Sequence, residues 1–137
     1  MARTLAIELT MMCLIKNTQG QYLIQNRTKS DWPGWTFPGG HVEKDESIMA
    51  ATIRELKEET GLSVQPILAG TAEWNNHTKE TRELAFLFTA ETHETINQSA
   101  ELFWVTKEEL LTHQLAGTLS DLLPIFLGEL DTIYFEV

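Results

Sequence analysis

The sequence predicts an α/β (α+β) fold, a mixed β-sheet sandwiched between helices. Two observations carry this reading. Short apolar stretches rich in β-branched and large residues lie on both sides of one strongly helical segment, and a second helical segment comes late. No repeat, low-complexity tract or linker divides the 137 residues, and 42% of them are apolar, with four Trp and six Phe. That is enough for one real core, so the expectation is a single domain over 1–137.

In chain order, "TLAIELTMMCLIKN" and "QYLIQNR" read as two strands around the turn "NTQG". "DWPGWTFPGG" follows as a loop holding a short extended piece. Residues 47–60 read as a helix, with Ser47 as N-cap and Gly61 where a left-handed C-terminal cap belongs. "QPILAGTAEWN" and "RELAFLFTAETH" form a long hairpin around "NHTKET", and "LFWVT" makes another strand. "KEELL" and "SDLLPIFLGE" are helical pieces. The second is expected to be capped by Ser120, to tolerate Pro124 near its first turn and to stop at Gly128. "TIYFEV" is the final strand.

Charge narrows the function. Twenty acidic against ten basic side chains give a net charge of -10, which repels polyanions, so long nucleic acid and anionic membrane are excluded as partners. A small phosphate compound stays open, because a divalent cation reverses the field locally. The lone Cys13 makes no internal disulfide and no zinc site, and reads as a small buried strand residue. "LAIELTMMCLI" is interrupted by Glu8 and Thr10 and falls short of the ~20 residues a membrane span requires. With no signal peptide visible, the expected location is the cytoplasm.

The acidic crowding has its own pattern. At about 100° per residue, Met49, Thr52, Ile53, Leu56 and Thr60 share one arc of the helix, the face expected to dock on the sheet. Glu55, Glu58 and Glu59 share a second arc beside it, and Arg54, Lys57 and Ala50 take the remaining side. Carboxylates converging at this spacing raise one another's pKa unless a cation neutralises them. An all-oxygen set without His or Cys points to Mg²⁺, with Mn²⁺ as the substitute.

From Gly40 the sequence reads G-x5-E-x7-R-E-U-x-E-E-x-G-U, filled by Glu46, Arg54, Glu55, Leu56, Glu58, Glu59, Gly61 and Leu62. This resembles the Nudix hydrolase signature in full, and the preceding "FPGG" extends the likeness. The resemblance implies a Nudix-type α/β/α sandwich that hydrolyses a nucleoside diphosphate linked to another group, using divalent metal held on this helix. It implies Glu58 and Glu59 as principal metal ligands, Glu55 as a ligand or the base that activates water, and the Gly40 carbonyl as a further ligand. Arg54, four residues before Glu58, would orient the cluster, and Glu46 would support it electrostatically.

Outside the signature, Arg27 stands where similar MutT-like members place a basic residue on the substrate phosphates. Glu101 is the candidate for an additional acidic ligand, with Glu91 and Glu94 behind it. Trp35 and Phe37 read as core. Trp32 and Trp74 are candidates to stack on a base, with Asn75 and Asn76 candidates to read its edge. His41 lies close enough to the signature turn to approach phosphate, and His77, His93 and His113 read as surface residues. "RTKSDWPGWTFPGGHVE" is similar to bacterial Nudix proteins assigned as 8-oxo-dGTP pyrophosphohydrolases, which implies a nucleoside triphosphate cleaved to monophosphate and pyrophosphate. A nucleotide sugar, dinucleotide or capped RNA end is the alternative substrate, and a catalytically silent ligand sensor the alternative class. A homodimer stays open.

Overall fold

The computed structural model describes residues 3–27 and 34–136. Its first strand, β1 (Ile7–Lys16), runs parallel to β6 (Thr81–Glu91) over all ten of its residues. The other edge of β1 is divided. Thr10, Met11 and Met12 pair antiparallel with β4 (Gly39–His41), while β2 (Tyr22–Arg27) meets β1 only at Lys16 opposite Tyr22. Beyond that point β2 pairs with β3 (Gly34–Thr36) and β7 (Leu102–Val105) instead. On the far side, β5 (Ile67–Asn76) is antiparallel to β6 and parallel to β8 (Thr132–Phe135). The result is one mixed sheet that parts between β1 and β2.

Helices cover both faces. On one, α1 (Ile48–Thr60) closes a core with Met11, Cys13, Ile15, Phe88 and Ala90. On the other, α2 (Lys107–Thr112) and α3 (Leu119–Phe126) close a second core with Leu14, Phe37, Ala85 and Leu87. Period-two alternation produces the two cores, because successive side chains of a strand point to opposite faces. Cys13 is fully buried, as read, and burial pushes its thiol up to about 12.

Local chemistry explains the ends of α1. The Ser47 hydroxyl accepts from the Ala50 N–H at 3.0 Å, and Gly61, at φ 79°, donates its N–H to the Lys57 carbonyl. At α2, Thr106 and Glu109 satisfy one another's backbone in a capping box.

Three helical expectations are corrected. Ser120 is not the cap of α3: that position is held by Thr118, whose side chain makes no capping bond. The turn starts early because the fully buried Leu119 is drawn onto the sheet, its N–H bonded to the Ala116 carbonyl. Pro124 consequently lies at the sixth of eight helical residues, past the first turn. The carbonyl its missing N–H would have met belongs to exposed Ser120, where water can serve it. The buried face of α1 also differs. Met49 is exposed, and Ala51, Thr52, Leu56 and Thr60 are buried, so the docked arc is rotated toward Glu55 and Glu59. Truncating Leu56 to Ala in such a core costs about 2–5 kcal/mol.

Candidate active site

The rotated packing of α1 puts two glutamates inside its docked arc. Glu55 lies against bare backbone: a Cβ on Gly40 would stand 2.5 Å from the Glu55 carboxyl carbon. Glu59 turns to the neighbouring glycine and accepts a 3.0 Å hydrogen bond from the Gly39 N–H. A Cβ on Gly39 would in turn collide with the Met11 carbonyl, so both glycines are required by close approach. Glu58 is the exposed member of the three.

Arg54 organises the other carboxylates. Its guanidinium donates to Glu46 through Nη2 at 2.6 Å and Nε at 3.0 Å, to Glu55 at 2.9 Å and to Glu58 at 3.2 Å. Nη2 also donates to the His41 carbonyl at 3.3 Å, tying helix to strand. The fork-on-fork pair with Glu46 is the strongest geometry of the set. Arg54, and after it the Glu43 N–H, hold the Glu46 carboxyl down at about 2, while the Arg54 pKa is raised, chiefly by Glu46 and then Glu55.

Glu59 behaves oppositely. Burial pushes its carboxyl up to about 7; the Gly39 N–H opposes the rise, and the Glu55 and Glu58 charges add to it. Among the described residues no three His, Cys, Asp or Glu side chains are already gathered as an ion site. Arg54 draws Glu55 and Glu58 together, and Glu59 faces Gly39. The donor set nonetheless fits a hard divalent cation. It offers only oxygen, includes a half-buried carboxylate with no cation beside it among the charges that shift it, and borders a pair of glycines whose backbone is free of side chains.

The sign of this electrostatic penalty is testable. Above about pH 4.5 the unfolded chain gives up the Glu59 proton, whereas the native metal-free protein keeps it up to about 7. The native state binds more protons in that window, so stability falls as pH rises through it. Thermal melts of metal-free protein should show a steeper loss of Tm between about pH 5 and 7.5 than melts of Glu59→Gln, which lacks the titrating group. Parallel curves would contradict the burial argument.

Glu59 borders a cavity of about 510 Å³ on the opposite face of the sheet from α1. It reaches that face where β2 has parted from β1. Arg27, His41 and Trp74 line the same cavity, and Leu119 and Leu122 of α3 close it. Trp74 stacks on Phe135 with ring centres 5.3 Å apart. Trp32 lies outside the described residues.

Other candidates stand elsewhere. Glu101 is exposed just before β7, its carbonyl accepting from the Asn26 N–H. Glu91 pairs with Lys16 at 3.5 Å, and Glu94 accepts from the Ser63 N–H. Asn75 is turned away from the cavity, donating to the Tyr134 hydroxyl at 2.7 Å and accepting from Arg82, while Asn76 serves the hairpin turn through the Lys79 N–H. Phe37 is core, as read. His113 is more than a surface residue, since its ring stacks on Trp35 at 3.6 Å. The sequence reading missed Glu83, Thr10 and Gln25, all of which line the cavity. For Glu83 a signal existed, because it alternates with Ala85 and Leu87 along one face of β6.

An α/β/α sandwich with a glutamate-rich helix against a Gly-Gly strand defines a class of protein, and the NUDIX domain family matches residues 7–125. The chain belongs to that family. A MutT protein from Methanosarcina mazei Go1 is similar in structure, with a TM-score of 0.73 and 28% identity over 93% of this chain and 98% of that one. Phosphatase NudJ of Escherichia coli K12 is 40% identical over 57 residues, 42% of this chain, and the match spans 37% of that protein's length. The NUDIX domain of Shewanella oneidensis NrtR, solved with ADP ribose, shares the fold at 19% identity and a TM-score of 0.70, covering 90% of this chain and 87% of that one. Among the described residues no helix is long and apolar enough to cross a membrane.

Proposed function

We propose that this chain, acting as one domain over 1–137, is a Mg²⁺-dependent pyrophosphohydrolase that cleaves a nucleoside triphosphate to monophosphate and pyrophosphate. The observation that carries the reading is the junction of glutamate cluster and cavity: Glu59 and Gly39 belong to both. Glu58, Glu59 and the Gly40 carbonyl would hold the cation, and Glu55 either joins them or accepts the proton of the attacking water. When bound, the cation supplies Lewis acidity and neutralises charge on phosphoryl oxygens. Arg54 positions the carboxylates through its four-way contacts. Arg27, at the end of β2 on the cavity wall, meets the substrate phosphates, and Trp74 offers the base an aromatic surface. Glu101, beside Leu102, which pairs with the cavity-lining Gln25, is the candidate for an additional acidic ligand.

The substrate we favour is 8-oxo-dGTP, on the likeness of the residues before the signature to MutT-like enzymes. The expected kcat/KM for 8-oxo-dGTP exceeds that for dGTP by more than about tenfold, or roughly 1.4 kcal/mol of discrimination in the transition state. Trp74→Ala should weaken that preference and leave cation binding intact, since Trp74 is remote in sequence from the signature. Steady-state kinetics on both nucleotides, with and without the substitution, checks this. Equal values for the two nucleotides would favour another nucleoside-diphosphate-linked substrate. A silent ligand sensor, the third reading, has no use for Glu55, Glu58 and Glu59 together with Arg54.

A further inference from the structure

One charged group on the cavity wall takes no part in the chemistry above. Glu83, on β6, is paired in the sheet with Glu8 on one side and with Trp74 on the other. Its side chain lines the cavity together with Thr10, whose hydroxyl donates to its Oε2 at 3.1 Å. An ionised carboxylate has two oxygens and about four lone-pair sites, so Thr10 takes up only part of its accepting capacity. Burial pushes the carboxyl above its usual range; the Thr10 bond lowers it, Glu8 raises it, and His41 and Lys79 lower it. Its environment therefore leaves an acceptor incompletely solvated and facing a cavity.

Its distance from the glutamate cluster decides what it can meet. Gly39, which holds Glu59, is level with Met12 of β1, and Glu83 is level with Glu8. Their backbone levels are four residues apart along the strand, roughly 13 Å at about 3.3 Å per residue, but the Glu83 carboxylate leans back to Thr10, which is level with His41; across the sheet, β6 lies two strands from β4 and β5, with Trp74, lies three. Phosphates and their cation belong at the Gly39 end, where a further carboxylate would compete with them. A base lying on Trp74, one strand beyond Glu83 on the same cavity wall, would turn its edge toward the Glu83 carboxylate. No ion site forms there among the described residues, although Glu8 and His41 are near.

We propose that Glu83, with Trp74 beside it, reads the nucleobase by accepting two adjacent N–H donors, the pair that a guanine-type base presents at N1 and its exocyclic amine. This rests on the nucleotide reading above and deepens it. Two parallel N–H groups meeting one carboxylate make a bidentate, charge-assisted contact, and the indole alongside supplies a stacking surface. Adenine turns a lone pair at N1 toward the same carboxylate and is repelled. 8-Oxoguanine keeps both donors. Glu83 thus selects guanine-type bases as a group, and the distinction between oxidised and normal guanine falls to other contacts.

The test is equilibrium binding of GMP and IMP, which differ only in the exocyclic amine, measured by calorimetry with Mg²⁺ present. Wild type should prefer GMP by more than about tenfold, because a site built around a donor rejects the analogue lacking it. Glu83→Gln should bring the ratio close to one, and Glu83→Asp, which withdraws the carboxylate by one methylene, should also lower it. Thermal melts establish that each variant is folded. An unchanged ratio in both folded variants overturns the proposal. So does a loss seen with GMP and IMP alike but absent with their 2′-deoxy counterparts, which would put the sugar hydroxyls at Glu83. Hydrolysis is assayed separately: absence of turnover on any nucleoside triphosphate, with the Glu83-dependent GMP preference intact, defeats the proposed activity and leaves the base contact standing.

Discussion

Glu59→Gln should lower kcat by at least about a hundredfold, and Glu58→Gln should do the same, the order seen when a principal electrostatic group is removed from a site. The reasoning is local. Glu59 is the carboxylate that both sits half-buried beside Gly39 and opens on the cavity, so in the proposed reaction it would stand where protein charge and substrate phosphate meet. Glutamine keeps the shape and can still accept from the Gly39 N–H, but it carries no charge to hold a cation. Folding should survive, because the substitution relieves a desolvated charge and the repulsion from Glu55 and Glu58. A Tm measured without metal should therefore stay level or rise at neutral pH. A sharp fall in that Tm, with kcat scaled only by the folded fraction, would assign Glu59 a structural role instead.

The second large effect is cation removal. With chelator present, turnover should fall to background, and Mg²⁺ or Mn²⁺ added in excess should restore it. Two terms act in the same direction. Without a cation the three glutamates on one side of α1 repel the substrate phosphates, and nothing relieves the charge that develops on phosphoryl oxygens. Arg54 does not substitute for it, since its donors are already committed to Glu46, Glu55, Glu58 and the His41 carbonyl. Undiminished hydrolysis in chelator would sink the metal reading.

What could be read beforehand depended on how local each signal was. Ser47 and Gly61 bound α1 through contacts within four residues, and both ends were legible for that reason. The strands followed from alternation and turn residues, which are also local. Ser120 misled because burial of Leu119, a tertiary effect, moved the start of α3 against its capping preference. Met49 misled because angular position on a helix says nothing about where the covering sheet stops. The positions of Glu55, Glu58 and Glu59 came from spacing, but their division between Arg54 and Gly39 needed the strand that lies against the helix. The cavity was the least legible part. The Thr10–Glu83 contact joins residues 73 apart in sequence, and Trp74 faces the cavity while Asn75 does not, a distinction set by strand register alone.

The proposed reaction splits a nucleoside triphosphate between its inner phosphates. Phosphorus NMR of the products, after incubating 8-oxo-dGTP and the common nucleoside triphosphates with the protein and Mg²⁺, tests it most directly. Monophosphate and pyrophosphate should appear together in equal amounts, and neither should appear with Glu59→Gln on the same timescale. Release of orthophosphate with a nucleoside diphosphate, or no turnover across the whole set, would contradict it.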